Sequence, residues 1–112
     1  MHNTIILVTN NGIGKADEEL QQLLAGKYFE LLLQNGNLPA AICFYTEGVK
    51  LICEGSPGLD PLRGLESKGV RLIVCSTCLN YFGLNEKIQA GIVGGMGDIL
   101  EAQIKADKVI TL

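Results

Sequence analysis

Tryptophan is absent, histidine occurs once, at position 2, and no cluster of lysine or arginine breaks the 112-residue sequence. Each scarcity closes a class of function. A Cys–His catalytic pair would have only the terminal His2 to draw on, and is set aside. Without a basic patch, and with a net charge of −3, nucleic-acid binding has no electrostatic footing. No apolar run approaches the length that spans a bilayer, so no membrane role is expected. The opening "MHNTIILVTNNG" has no basic start and reaches Asn and Gly too soon for a signal peptide. A cytoplasmic location follows as the expectation, and there the four cysteines should be reduced, buried, metal-bound or catalytic rather than paired.

What is present is ample apolar material. A chain of this length can bury a core without disulfides or metal, and one domain over 1–112 is expected. Internal repeats, low-complexity segments and linkers are not seen. Four runs of branched apolar residues recur: "TIILVT" (4–9), "AAICFY" (40–45), "VRLIVC" (70–75) and "KVITL" (108–112). They are nearly continuous rather than alternating, which suits strands buried on both faces of a parallel sheet. Helical patterns lie between them. Leu20, Leu23, Leu24, Tyr28, Leu31 and Leu32 form one apolar stripe at spacings of three and four, after the acidic turn Asp17–Glu19 and before the stop at Asn35-Gly36. A second helix is expected from about Pro57 to Lys68, capped at Ser56-Pro57 or Asp60-Pro61. A short one is expected near Cys78, and a last over about Gly97–Ala106 with Ile99, Leu100 and Ile104 inward. The fold class expected is α/β, a three-layer α/β/α domain with a mainly parallel central sheet.

The chemistry concentrates in "RLIVCSTCLNYFGL" (71–84). In open α/β sheets ligands gather beyond the carboxyl ends of the strands, and Cys75 ends its strand. A thiol at the start of a helix faces free N–H groups, here those of residues 76 to 78, which favour thiolate, the reactive form. Several readings compete. A zinc knuckle would need two ligands besides Cys75 and Cys78, and Cys43 and Cys53, ten residues apart, are no second knuckle pair. A thioredoxin-like dithiol would follow an early strand, usually behind an aromatic residue, whereas Val74 stands here. Two inert core cysteines are the plainest alternative. Ser76 and Thr77 could hydrogen-bond a substrate or simply cap the helix. "GIGKAD" (12–17) lacks the phosphate-loop spacing, so Gly12 and Gly14 read as a strand-to-helix turn. "GGMGD" (94–98) opens the last helix, and at Gly95 and Met96 the backbone could approach a small anion, or the glycines could only make a turn. Adjacent Tyr28-Phe29 and Tyr81-Phe82 cannot both point inward from one helix, so a subunit interface or a neighbouring loop should cover the extra ring.

The blocks "FYTEGVKLICEGS" (44–56) and "LESKGVRLIVCSTCLNYFGL" (65–84) resemble the DsrE-like family, in particular the C-terminal DsrE-like domain of the YedF type, linked to selenium metabolism. The resemblance rests on Phe44-Tyr45, Gly48-Val49-Lys50-Leu51, Gly55-Ser56, Lys68-Gly69-Val70 and Cys75-x-Thr77-Cys78-Leu79, and covers nearly the whole chain. It implies a sulfurtransferase-like carrier relaying sulfur, or selenium, as a cysteine persulfide. Cys75 would be the carrier thiol and Cys78 its assistant, with Ser76, Thr77, Gly95 and Met96 around the cargo and no cofactor or metal. It also implies sulfur-donor and sulfur-acceptor partner proteins, a SirA/TusA-like protein among them, and a homo-oligomer, trimer or hexamer. Two departures stand out. The SirA/TusA-like domain that usually precedes the YedF module is not in this sequence, and Gly95-Met96-Gly97 stands where Asn-Met-Tyr is frequent. The alternative function is a non-enzymatic oligomeric module that binds a small ligand or a protein without thiol chemistry.

Overall fold

The computed structural model describes residues 3–112, so His2 lies outside the described residues. Five strands form one all-parallel sheet in the order β4-β3-β2-β1-β5: β1 Thr4–Val8, β2 Ala41–Phe44, β3 Arg71–Cys75, β4 Ile92–Gly94 and β5 Lys108–Thr111. The four expected strands are all there. Strands β1 and β2 are buried at every position, as continuous apolar runs require.

The fifth strand, β4, went unread in the sequence. It has three residues, Ile92-Val93-Gly94, with Ile92 and Val93 exposed, so it carries neither the length nor the burial that marks a strand. A second unread element is the 3₁₀ helix Thr46–Ile52 after β2. Its Gly48 packs backbone against backbone: a Cβ there would lie 2.0 Å from the Val8 carbonyl oxygen.

Helices α1 (Glu18–Asn35) and α2 (Leu59–Ser67) pack on each other, with Leu33 filling the notch at Gly64. Helix α2 starts from Gly58, not from either expected proline cap. α3 (Ser76–Phe82) follows Cys75 directly, and α4 (Met96–Lys105) leads from β4 to β5. The chain runs from β1 to β4 in one direction across the sheet and then returns beside β1. With right-handed crossovers, this return puts α4 on the face opposite α1 and α2, which completes three layers.

The inward face of α1 differs from the leucine stripe. Gln21, Ala25, Phe29 and Leu32 are buried, whereas Leu20, Leu23, Leu24 and Leu31 are exposed, Leu23 at 55%. Gln21 turns inward because the preceding loop requires it. Its side-chain oxygen accepts the Ala16 N–H at 2.9 Å and its carbonyl accepts the Ile13 N–H at 2.9 Å. Gly12 makes that turn at φ +138, where a Cβ would strike Gln21. With Gln21 set, Phe29 lies two turns further along the same face, and Tyr28 is left half-buried. In α4 only Ile99 is buried, while Leu100 and Ile104, also expected inward, face out.

Candidate functional site

The parallel register brings the expected site residues to one edge. Cys75 ends β3 opposite Gly94 of β4, so Gly95 and Met96 leave the sheet beside it. Phe44 ends β2 opposite Val74, so Tyr45 and Thr46 leave on the other side. Cys75 is the N-cap of α3 and has no exposure, while Cys78, in the first turn, is partly exposed.

The hydrogen bond to a site sulfur goes to Cys78, not to Cys75, for which the N–H groups of 76–78 are the expected donors. It comes from the backbone N–H of Thr46, which donates to Cys78 Sγ at 3.0 Å. Thr46 is the one described non-glycine residue with positive φ, at +49. Its hydroxyl holds it there, its single proton shared between the Thr9 carbonyl at 2.5 Å and the Tyr45 carbonyl at 2.7 Å. One threonine thus ties the ends of β1 and β2 to α3. A side chain that costs energy in the left-handed region is retained where its surroundings fix it, a pattern that collects at functional sites. No sequence signal marked Thr46, because its role lies in a backbone N–H and a torsion rather than a side-chain type.

The Cys78 thiol stands above its ordinary pKa. Burial pushes it up most, the Thr46 N–H pulls it down, and the hydrogen bond and charge of Cys75 push it up further. The helix start does not lower the Cys78 thiol. Helix α3 has only seven residues, and desolvation and the neighbouring thiol outweigh the single N–H. A high-pKa thiol is mostly protonated at neutral pH, but each thiolate it forms is a stronger nucleophile.

The remaining expected residues take lesser parts. Ser76 and Thr77 form the first turn of α3. The Gly95 N–H donates to the Asp98 carboxylate at 2.8 Å, so this donor is already engaged in starting α4 rather than free for an anion. Met96 is exposed. Lys50, ion-paired to Glu47, sits 4.6 Å above the Phe82 ring and roofs the far end of α3. Tyr81 is 84% exposed.

The other two cysteines lie apart from this edge. Cys53 closes the 3₁₀ helix and its thiol donates to the Val49 carbonyl at 3.2 Å. Cys43 is buried in β2 and its pKa is pushed up to about 11 by desolvation, with Arg71 pulling weakly the other way. The unfolded chain loses that proton near pH 9 and the folded one only near 11. The stability it contributes is therefore complete below 9 and is lost as pH rises through 11. At about 1.4 kcal/mol per pH unit, the fold should lose up to ~3 kcal/mol over that window. Urea titrations should show Cys43→Ala weaker at pH 7 but flatter between pH 9 and 11, and an equal slope in the two proteins would refute the assignment. Among the described residues, no group of three or more His, Cys, Asp or Glu could hold a metal ion.

The DsrE/DsrF-like family model matches residues 5–112. The chain belongs to this family. Solved structures carry the same fold over the whole domain. The YchN protein of E. coli matches at TM-score 0.70 with 21% identity, covering 100% of both chains. MTH1491 of Methanobacterium thermoautotrophicum, a protein of unknown function, matches at 0.72 with 20% identity, again over 100% of both. BT1422 of Bacteroides thetaiotaomicron, also of unknown function, matches at 0.69 with 15% identity, covering 98% of this chain and 95% of that one. No match was found among the curated proteins. In this DsrE/DsrF-like chain, the family model takes in both thiols, the 3₁₀ helix and both glycine turns. No helix among the described residues is long and apolar enough to cross a membrane.

Proposed function

We propose that this DsrE/DsrF-like protein is a sulfur carrier and transferase module that holds a sulfane sulfur as persulfide on the Cys75–Cys78 pair. The observation that carries the reading is two thiols at the N-cap and third residue of α3, at the carboxyl edge of a parallel sheet, one buried and one reaching solvent. Cys75, at the strand end, is the carrier position that the family resemblance implies. A persulfide on Cys75 is discharged when the Cys78 thiolate attacks its inner sulfur. The Cys75–Cys78 bond forms, the bond to the outer sulfur breaks, and hydrosulfide leaves. A small thiol or dithiol protein then reduces the disulfide.

The same proposal takes the module as YedF-type, cytoplasmic, served by donor and acceptor proteins such as a SirA/TusA-like protein, with selenium as the alternative cargo. The exposed Leu20, Leu23, Leu24 and Leu31 on α1 support a homo-oligomer, since a lone chain would leave that face in water.

Intact-mass spectrometry after incubation with a persulfide donor tests the reading. The wild type should gain one sulfur mass, removable by dithiothreitol, and the Cys75→Ser/Cys78→Ser protein should gain none. A native spectrum of the same sample reads the subunit number. No gain on wild type with all thiols titrating as free would sink the carrier and leave the thiol-independent binding module.

A further inference from the structure

We propose that Cys78, held by the backbone N–H of Thr46, is the thiol that first takes sulfur from the donor, and that Cys75 is the inner thiol to which the sulfur then passes. This rests on the carrier reading above and reverses the order in which the two thiols would act if the strand-end cysteine were loaded directly.

The argument is one of access and aim. Sulfane transfer requires the attacking sulfur to approach in line with the S–S bond that breaks. Cys75, the last residue of β3 and the N-cap of α3, has no exposed surface, so a donor's persulfide cannot reach it without opening the fold. Cys78 reaches solvent three residues along α3 from Cys75, near enough for the Cys75 thiol to push its pKa up. Its Sγ is also the atom to which the fold commits a dedicated donor, from a residue held at φ +49 by a hydroxyl set between two carbonyl oxygens. A donor fixed in this way aims the sulfur before reaction rather than during it.

The steps balance without an oxidant. The Cys78 thiolate attacks the outer sulfur of a donor R–S–SH. The Cys78 S–S bond forms, the donor's S–S bond breaks, and R–S⁻ leaves and takes the proton that Cys78 gave up. The Cys75 thiolate then attacks the outer sulfur on Cys78, and Cys78 departs as thiolate and is reprotonated. The charged groups around Cys78 are few. Helix α3 carries none, Glu47 and Lys50 on the 3₁₀ helix pair with each other, and Asp98 is bound to the Gly95 N–H, so Cys75 is the titratable partner that matters.

The experiment is a time course of intact mass with glutathione persulfide, on wild type, Cys75→Ser and Cys78→Ser, each checked by circular dichroism. Cys75→Ser should gain one sulfur at a rate near that of wild type, and Cys78→Ser should load at least tenfold more slowly. Loading of Cys78→Ser at the wild-type rate, with none on Cys75→Ser, would overturn the order while leaving the carrier intact. No loading on any of the three, wild type included, would overturn both. The part of Thr46 is read from the pH profile of Cys78 alkylation in the Cys75→Ser background. Thr46→Gly keeps the N–H and the left-handed torsion and should keep the profile. Thr46→Pro removes the N–H and should move the midpoint up. If proline unfolds the loop, Thr46→Ala, which loses the hydroxyl and, unlike glycine, resists the left-handed torsion, should move it up by less. Profiles that coincide in all folded variants would show that Thr46 does not position Cys78.

Discussion

Replacing Phe29 by alanine should cost about 3–5 kcal/mol of stability, the usual loss when a buried ring is deleted and the cavity cannot collapse. Phe29 has no exposure and packs at the α1–α2 contact, where a Cβ on Gly58 would lie 3.8 Å from its ring. The control is Leu24→Ala. Leu24 belongs to the stripe that helical periodicity marks as inward, yet it is exposed, and its loss should cost under about 1 kcal/mol in a monomer. Urea denaturation at a dilution where only monomer remains decides between the two faces. A Leu24→Ala loss as large as that of Phe29→Ala would mean the helix is turned the other way. If Leu24→Ala is costly only at high protein concentration, the leucine face is a subunit contact.

Gly48→Ala should be the more informative lesion, because it links stability to the site. The alanine Cβ would meet the Val8 carbonyl oxygen at 2.0 Å and its carbon at 2.7 Å, both backbone atoms that no side-chain rotation can move away. The 3₁₀ helix must lift off β1, at roughly 3 kcal/mol or more for overpacking of this kind. The Gly48 N–H bonds the Tyr45 carbonyl at 3.0 Å, the oxygen that also receives the Thr46 hydroxyl, so the lift is transmitted to Thr46. Gly48→Ala should therefore lose stability and also shift the alkylation midpoint of Cys78 upward. A stable Gly48→Ala protein with the wild-type Cys78 profile would show that the 3₁₀ helix does not hold the thiol.

The central part of this molecule was legible from residue order, and the reasons are local. Strands β1, β2 and β3 are continuous branched apolar runs because both of their faces are covered, so composition alone marks them. Cys75 at the end of such a run, with Cys78 three residues on, marks the sheet edge as the place of both thiols. The turn glycine Gly12 could be read for the same reason, since a tight strand-to-helix turn needs a residue that tolerates positive φ.

What the tertiary structure alone decided concerns orientation and donors. The leucine stripe of α1 is real as a pattern, but periodicity defines a face and not its direction. The inward side was settled by Gln21, whose amide satisfies a loop that precedes it by five residues and whose backbone closes on Gly12. Strand β4 is short and half-exposed, held by its register against β3, and no local signal of burial was available to read. The difference between the two thiols is likewise a matter of position. Cys75 and Cys78 are the same residue type three apart, and only the full burial of one and the reach of the Thr46 N–H, 32 residues away in the chain, to the other makes them unequal. A sequence specifies which groups exist and their local periodicity. Which sulfur meets water, and which donor meets the sulfur, depends on contacts between residues far apart in the chain, and these exist only once the sheet has closed.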